Sequence, residues 1–282
     1  MSRFLVLLAA LLCGRPALAA PGAAPATPPA RSVSLAPSVT ETLFALGVGP
    51  RVVAVSTYCD FPPAVRQLPK VGSFLAPSVE AIVGARPDVV IGVPSPGNHE
   101  AVAALRRLGV RVEISDAEHL AELPAVTSAI AAAAGVPEAG ERLVAEIADG
   151  MDSVRRRVAG LPSRRVLMAI GQDPLVAVGD GSFLGELLAE AGGANVAPPG
   201  STWPHVSVEY VVARDPEVII DSSMGTEERS EAGAFWRRLP SLAAVREDQV
   251  HAFRDYRVLR PGPRLPAAFE SLARLIHPEA WR

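Results

Sequence analysis

The side chains of this sequence that can move protons or bind metals are few and scattered. Its five histidines, His99, His119, His205, His251 and His277, form no H-x-x-H or HExxH pair, so each reads as a surface or loop histidine. The run "GDGSFLGELL" (179–188) lacks the third glycine of a dinucleotide fingerprint and the lysine of a phosphate loop; a turn with Ser182 as helix N-cap explains it better. Ser34, Ser38 and Ser78 have no G-x-S-x-G setting. Of the two cysteines, Cys13 lies in a leader segment, and Cys59 alone can form neither an internal disulfide nor a multi-cysteine metal site. Asp60 beside it disfavours the thiolate, so no bridging or catalytic role is expected. The chemistry points away from an enzyme: no catalytic residue, resident cofactor or metal site is expected. A metal-ion binding protein would need His99, His205 and Asp255 to converge, and a nitrogenase-like oxidoreductase would need clustered cysteines.

Two carboxylates stand out by spacing instead. "SVEAIVGARPDVVI" (78–91) and "SVEYVVARDPEVII" (207–220) align without a gap, 129 residues apart from Ser78 to Ser207, with seven of fourteen positions identical. Ser78 and Ser207 are good N-caps, and Glu80 and Glu209 then fall in the first helical turn, where a carboxylate favours the positive end of the dipole. Pro87 and Pro216 stop each helix before the strands "DVVI" and "EVII". Local helix stabilisation and a paired surface function are both compatible with this pattern.

Aromatic residues are only 5% of the chain, yet several stand in loops: Tyr58 in "STYCDFPP", Phe74 in "VGSFLAPS", Trp203 in "GSTWPHVS", Tyr256 in "FRDYRVLRPGPR". Gln172 and Asp173 follow the strand "VLMAIG". Ligands of open parallel sheets bind beyond the carboxyl ends of the strands, where Tyr58, Gln172, Asp173 and Tyr256 fall, with Trp203 in an approach loop. Such a set suits a small-molecule cleft. Local packing of Trp203 and Phe74 under their loops is the alternative.

The elements that must position these residues alternate. "SVSLAP" (32–37), "VVAVST" (52–57), "DVVIGV" (88–93) and "RVEIS" (111–115) read as strands. They are separated by helical runs such as "SVTETLFALG" and "HEAVAALRRLG", the latter closed by Gly109. Strands apolar at nearly every position imply parallel sheets covered on both faces. The pattern restarts after residue 160 with "RRVLMAIG", "PLVAVG", "EVIIDSS" and "QVHAFRD". Between the two blocks Leu143, Ile147, Met151, Val154 and Val158 recur at helical spacing, which predicts one helix over Pro137–Val158, roughly 33 Å long. The expected fold is α/β: an N-terminal lobe (31–136), a rigid connecting helix (137–160) and a C-terminal lobe (161–282), each lobe a mostly parallel sheet flanked by helices.

The N-terminus reads as an export signal. Arg3, the apolar run "FLVLLAALL", the breakers Gly14 and Pro16, and small Ala17 and Ala19 place cleavage after Ala19, giving a signal peptide at 1–19. A lipid anchor on Cys13 would need a small residue where Leu12 stands. Residues 20–30, "APGAAPATPPA", read as a linker with nothing to pack. No later apolar stretch is long enough to span a bilayer, so no stable membrane insertion is expected. The net charge of −3 gives no electrostatic reason for nucleic-acid binding. A monomer in the periplasm is expected.

The long block from "RSVSLAPSVTETLFALG" to "PSVEAIVGARPDVVI" (31–91) resembles the N-terminal lobe of the helical-backbone periplasmic binding proteins, which deliver cobalamin, haem or ferric siderophores to ABC importers. "PLVAVGDGSFLGELLAEAGGANVA" and "LRPGPRLPAAFESLARLIHP" are similar to the second lobe and C-terminus of that family, so the likeness covers residues 31–278. "YCDFPP" with "TWPHVS" is most similar to the cobalamin-binding branch. The resemblance implies that Tyr58 and Trp203 stack on a corrin held between the lobes. Phe74 adds a flat apolar face, and Gln172, Asp173 and Asp255 meet side-chain amides or waters at the rim. It also implies that Glu80 and Glu209 face arginines of a two-subunit permease. Where haem binders often supply a tyrosine after "VG", this chain has Ser73 and Phe74; haem or a ferric siderophore is the alternative cargo.

Overall fold

The computed structural model describes residues 28–223 and 229–282. The expected signal peptide, and the expected linker as far as residue 27, lie outside the described residues. At the end of that linker, packing begins earlier than the sequence predicts. Pro29 is buried, and the backbone N–H groups of Ala30 and Arg31 both donate to Asp88 Oδ2, at 2.8 and 2.9 Å.

The first sheet holds β1 (Ser32–Ser34), β2 (Val52–Val55), β3 (Val89–Gly92) and β4 (Arg111–Ile114), all parallel, in the order β2-β1-β3-β4. β1 and β3 are buried at every position. This explains their uninterrupted apolar runs, because a parallel strand covered on both faces has no solvent side. Helices α1 (Pro37–Ala45), α2 (Val79–Gly84), α3 (His99–Arg107) and α4 (Leu123–Ala133) supply the cover. One outer cluster packs Val33, Leu35, Ala54, Ile82, Val90 and Leu105 together.

The second sheet is built on the nine-residue β5 (Arg164–Gln172). β8 (Val218–Asp221) pairs with it in parallel and carries β9 (Val250–Ala252) beyond. On the other edge β6 (Leu175–Ala177) runs antiparallel and β7 (Gly193–Asn195) parallel, sharing β5 end to end. Here the cover is α6 (Phe183–Glu190), α7 (Val208–Arg214), α8 (Arg229–Trp236), α9 (Ala243–Arg246) and α10 (Leu265–Ile276).

α5 (Pro137–Val158) is one continuous helix whose buried side chains are Leu143, Ile147, Met151, Val154 and Val158, with Gly140. Its stripe belongs to a single apolar core that also takes Val39, Leu43 and Ile91 from the first lobe and Met168, Leu187 and Phe269 from the second. Its two glycines, each a cost of up to about 1 kcal/mol in a helix interior, mark close approaches. A Cβ on Gly140 would meet Ala131 Cβ at 2.4 Å, and one on Gly150 would meet Pro266 Cβ at 2.7 Å. α5 therefore lies tightly against α4 on one side and α10 on the other. Among the described residues no helix is long and apolar enough to cross a membrane.

Candidate functional site

A groove of about 540 Å³ lies between the lobes, within the range of small-molecule sites. Asp116, Ala117 and Glu118 line it from the segment after β4, Gly181 to Leu184 from the start of α6, Thr202 and Trp203 from a loop, and Val258, Leu259 and Pro261 from the segment before α10. β4 ends just before a lining segment, as expected for ligands at the carboxyl ends of parallel strands. A smaller cavity, of about 100 Å³, lies between α4 and α5.

The glycine-rich run positions this wall. Ser182 caps α6, accepting from Gly185 N at 3.0 Å and donating to Gly179 O at 2.7 Å. Gly179 must be glycine: a Cβ there would lie 1.7 Å from Ser201 O. That contact, with Gly179 N donating to Thr202 O at 2.9 Å and Gly200 N to Asp180 Oδ1 at 2.9 Å, pins the loop from which the exposed Trp203 projects. Burial raises the Asp116 carboxyl above its usual range, with neighbouring Glu118 and Glu122 adding to the effect against the Ala117 N–H. Among the described residues the lining offers apolar faces and two carboxylates, and no lysine or arginine.

The residues expected from sequence divide by position. Trp203 lines the groove. Tyr58 and Phe74 meet edge to face at 6.3 Å between centroids, outside the groove lining. Tyr58 is exposed, whereas its neighbour Cys59 is buried, with the hydroxyls of Thr40 and Ser56 at 3.0 and 3.1 Å from the sulfur. Phe74 O accepts from Ser95 Oγ and Asn98 Nδ2, each at 3.2 Å, which holds its loop. Tyr256 is exposed in the turn Tyr256–Leu259, next to the lining residues Val258 and Leu259.

Gln172 ends β5, and its amide turns inward to Asp221 Oδ2 at 2.7 Å. Asp173 is exposed at the β5–β6 turn. Burial pushes the Asp255 carboxyl up, but Arg257, donating at 2.7 and 2.5 Å, outweighs it and holds the group below the usual range. Among the described residues no three His, Cys, Asp or Glu side chains converge on a metal position. The sequence reading missed Asp116 and Glu118. Their signal was available: they follow the carboxyl end of β4, the same rule that selected Tyr58 and Gln172.

The repeated phrase is repeated in space. Ser78 Oγ accepts from Ala81 N at 3.2 Å and Ser207 Oγ from Tyr210 N at 3.1 Å. Glu80 and Glu209 are both exposed. Their equivalent neighbours one turn on, Val83 and Val212, are 40% and 38% exposed, whereas Ile82 and Val211 are fully buried. Both phrases leave their helices through a left-handed residue before proline, Arg86 at φ 48° and Asp215 at φ 42°. The Glu209 carboxyl lies below its usual range, held there by its own backbone N–H and the Ser207 hydroxyl.

Comparison with known proteins covers nearly the whole of this fold. The profile of the family described as "Periplasmic binding protein" matches residues 33–256. The vitamin B12-binding protein of Vibrio cholerae serotype O1 is 30% identical over 247 residues, 87% of this chain and 88% of that protein. That of Yersinia pestis (strain Pestoides F) is 30% identical over 254 residues, 88% and 86% of the two chains. Among solved structures, the periplasmic vitamin B12 binding protein BtuF of Vibrio cholerae is similar at a TM-score of 0.77 and 29% identity, over 90% of this chain and 99% of that one. The periplasmic heme-binding protein RhuT of Roseiflexus sp. RS-1 in apo form is similar at 0.78 and 28%, over 89% and 98%.

Proposed function

The chain belongs to the periplasmic binding protein family, and from that premise we propose that it captures cobalamin between its lobes and hands it to an ABC importer. The groove carries this reading. Trp203, Phe183 and Leu259 offer apolar faces to a flat ligand over the buried Leu184 and Val258, while Asp116 and Glu118 stand in the same lining without a cationic side chain among the described residues. The amide side chains around a corrin can donate to such carboxylates. The propionates of haem would meet like charge there. Haem is the second reading, favoured by the likeness to the heme-binding RhuT. Tyr58, Phe74 and Tyr256 are further aromatic candidates for the cargo, Tyr256 lying close in sequence to the lining residues Val258 and Leu259, and Asp173 and Asp255 are rim candidates, as Gln172 would be if its amide left Asp221.

The same proposal includes export on the 1–19 signal, residues 31–136 and 161–282 acting as two lobes about the 137–160 helix, and a monomer in the periplasm. No reaction is catalysed. Delivery would use Glu80 and Glu209, each facing one subunit of a two-subunit permease. Two equivalent partners need the same docking group twice, and the repeat supplies it. The exposed Val83 and Val212 beside them give each carboxylate an apolar neighbour.

The test is the visible absorption spectrum of the mature protein after mixing with cobalamin and removing free ligand, with calorimetry for stoichiometry. A corrinoid co-eluting at one per chain is expected. No retained corrinoid, alongside tight uptake of haem, would overturn the cargo.

A further inference from the structure

Glu41 lies on α1 of the first lobe with its side chain only 1% exposed. A carboxylate that deep needs cations, and both come from the other end of the chain. Arg264 engages it as a fork, Nε donating to Oε2 at 2.7 Å and Nη2 to Oε1. Arg260 Nη1 donates to Oε1 at 3.0 Å and to Asp60 Oδ1 at 2.6 Å. The Arg264 guanidinium also lies over the Phe61 ring, 3.9 Å from its centroid. Two acids of the first lobe and two arginines of the second thus form one linked cluster.

What the cluster joins matters for binding. Arg260 sits between Leu259 and Pro261, which line the groove. Asp60 and Phe61 follow directly on Tyr58 and Cys59. The adjoining Gly262 runs against α1, where a Cβ would touch Thr42 Oγ1 at 3.5 Å and Ser38 O at 3.6 Å. We propose that Glu41 is a positioning residue of the binding groove: through Arg260 and Arg264 it fixes the wall around Leu259–Pro261, and the Tyr58 loop with it, to one place on the first lobe. The reading rests on the groove being the cargo site.

The energetics favour positioning over glue. A buried ion pair contributes little net stability, because desolvation cancels much of the attraction. A forked arginine–carboxylate contact does fix direction as well as distance. Without Glu41, Arg264, 24% exposed, would lose its carboxylate and Arg260, 19% exposed, would keep Asp60, and the repulsion between the two arginines would push the wall away from α1.

The experiment compares wild type with Glu41→Gln and Arg264→Lys by hydrogen exchange of the free protein, cobalamin affinity well below the unfolding temperature, and the unfolding midpoint. Glu41→Gln should speed exchange at both 58–61 and 256–264 and weaken cobalamin on the order of tenfold, the middle of the range for residues acting on a ligand through others. Arg264→Lys, which keeps the charge and loses the fork, should fall between. A lowered midpoint with unchanged exchange in both segments and unchanged affinity overturns the proposal, leaving a purely structural cluster. If wild type itself takes up no cobalamin, the cargo reading fails, and the exchange result alone decides the role of Glu41. Should Glu41→Gln not fold, Glu41→Leu/Arg264→Leu leaves Arg260 paired with Asp60 and carries the same measurements.

Discussion

Gln172 Nε2 donates to Asp221 Oδ2 at 2.7 Å, the same oxygen that receives Trp236 Nε1 at 2.7 Å. Asp221 is completely buried at the end of β8, and its other oxygen accepts from Ser223 N at 3.0 Å. The carboxylate thereby ties the end of β5, the loop after β8 and the largest buried side chain of the second lobe into one network.

Removing that hub should cost stability and leave the cargo site largely intact. Asp221→Ala should lose about 3 kcal/mol in urea unfolding, because several buried donors are left unsatisfied. Gln172→Ala should lose about 1 kcal/mol. If Gln172→Ala weakened cobalamin binding with no change in stability, its amide would be assigned to the ligand instead of to Asp221.

The proposed stacking residues should behave in the opposite way. Trp203→Ala and Tyr58→Ala should each weaken cobalamin by about 1–3 kcal/mol, as aromatic anchors do at other sites. Their unfolding midpoints should barely move, since both side chains are exposed. Calorimetric titration of each variant checks this.

Charge reversal on the repeated phrases separates delivery from capture. Glu80→Arg and Glu209→Arg should leave affinity near normal, reduce permease-dependent uptake singly and abolish it together. An arginine left unpaired in a desolvated contact costs about 2–5 kcal/mol, against about 0.3–1 kcal/mol for the helix-dipole contribution alone. Uptake that survives the double reversal would reduce both glutamates to helix caps.

A pH effect should arise at His119. Its Nδ1 lies 2.5 Å from Glu186 Oε1, and that hydrogen bond and charge raise its pKa above the ordinary 6.5. A raised folded pKa gives stability that is complete below the unfolded value and disappears as pH rises through the folded one. The imidazole resonances of His119 should therefore titrate above 6.5, and Glu186→Gln should bring the midpoint down. An unshifted midpoint in wild type would show that the pair does not hold in solution.

Ligand should change the overall shape little. α5 is unbroken and its stripe is shared by the core of both lobes, so no segment there is free to absorb a hinge rotation. Small-angle scattering with and without cobalamin should give matching radii of gyration.

The scaffold is legible in the sequence wherever its signals are local. Ser78, Ser182 and Ser207 each cap the helix that follows, and the α5 stripe follows from spacing alone. Long-range pairing is another matter. Glu41 stands in "SVTETLFALG" like any helical glutamate; its partners lie 219 and 223 positions away, and no neighbour within a turn announces its burial. Gln172 is correctly placed at the end of a strand, yet the direction of its amide is set by Asp221, 49 positions on. β7 is three residues including Gly193, too short for any alternation to register.

Arg86 and Asp215 turn the backbone in the same sense at the same point of each phrase, which has a consequence for encounter. On the proposed docking through Glu80 and Glu209, a partner built on a two-fold axis would find an equivalent phrase on either landing, which would give two productive ways to associate and double the statistical weight. The degeneracy is broken only by side chains that differ, such as exposed Arg86 against half-buried Asp215, and Ala85 against exposed Arg214. A bias carried by such surface charges is electrostatic and is screened by salt, so the two landings become more nearly equal as ionic strength rises.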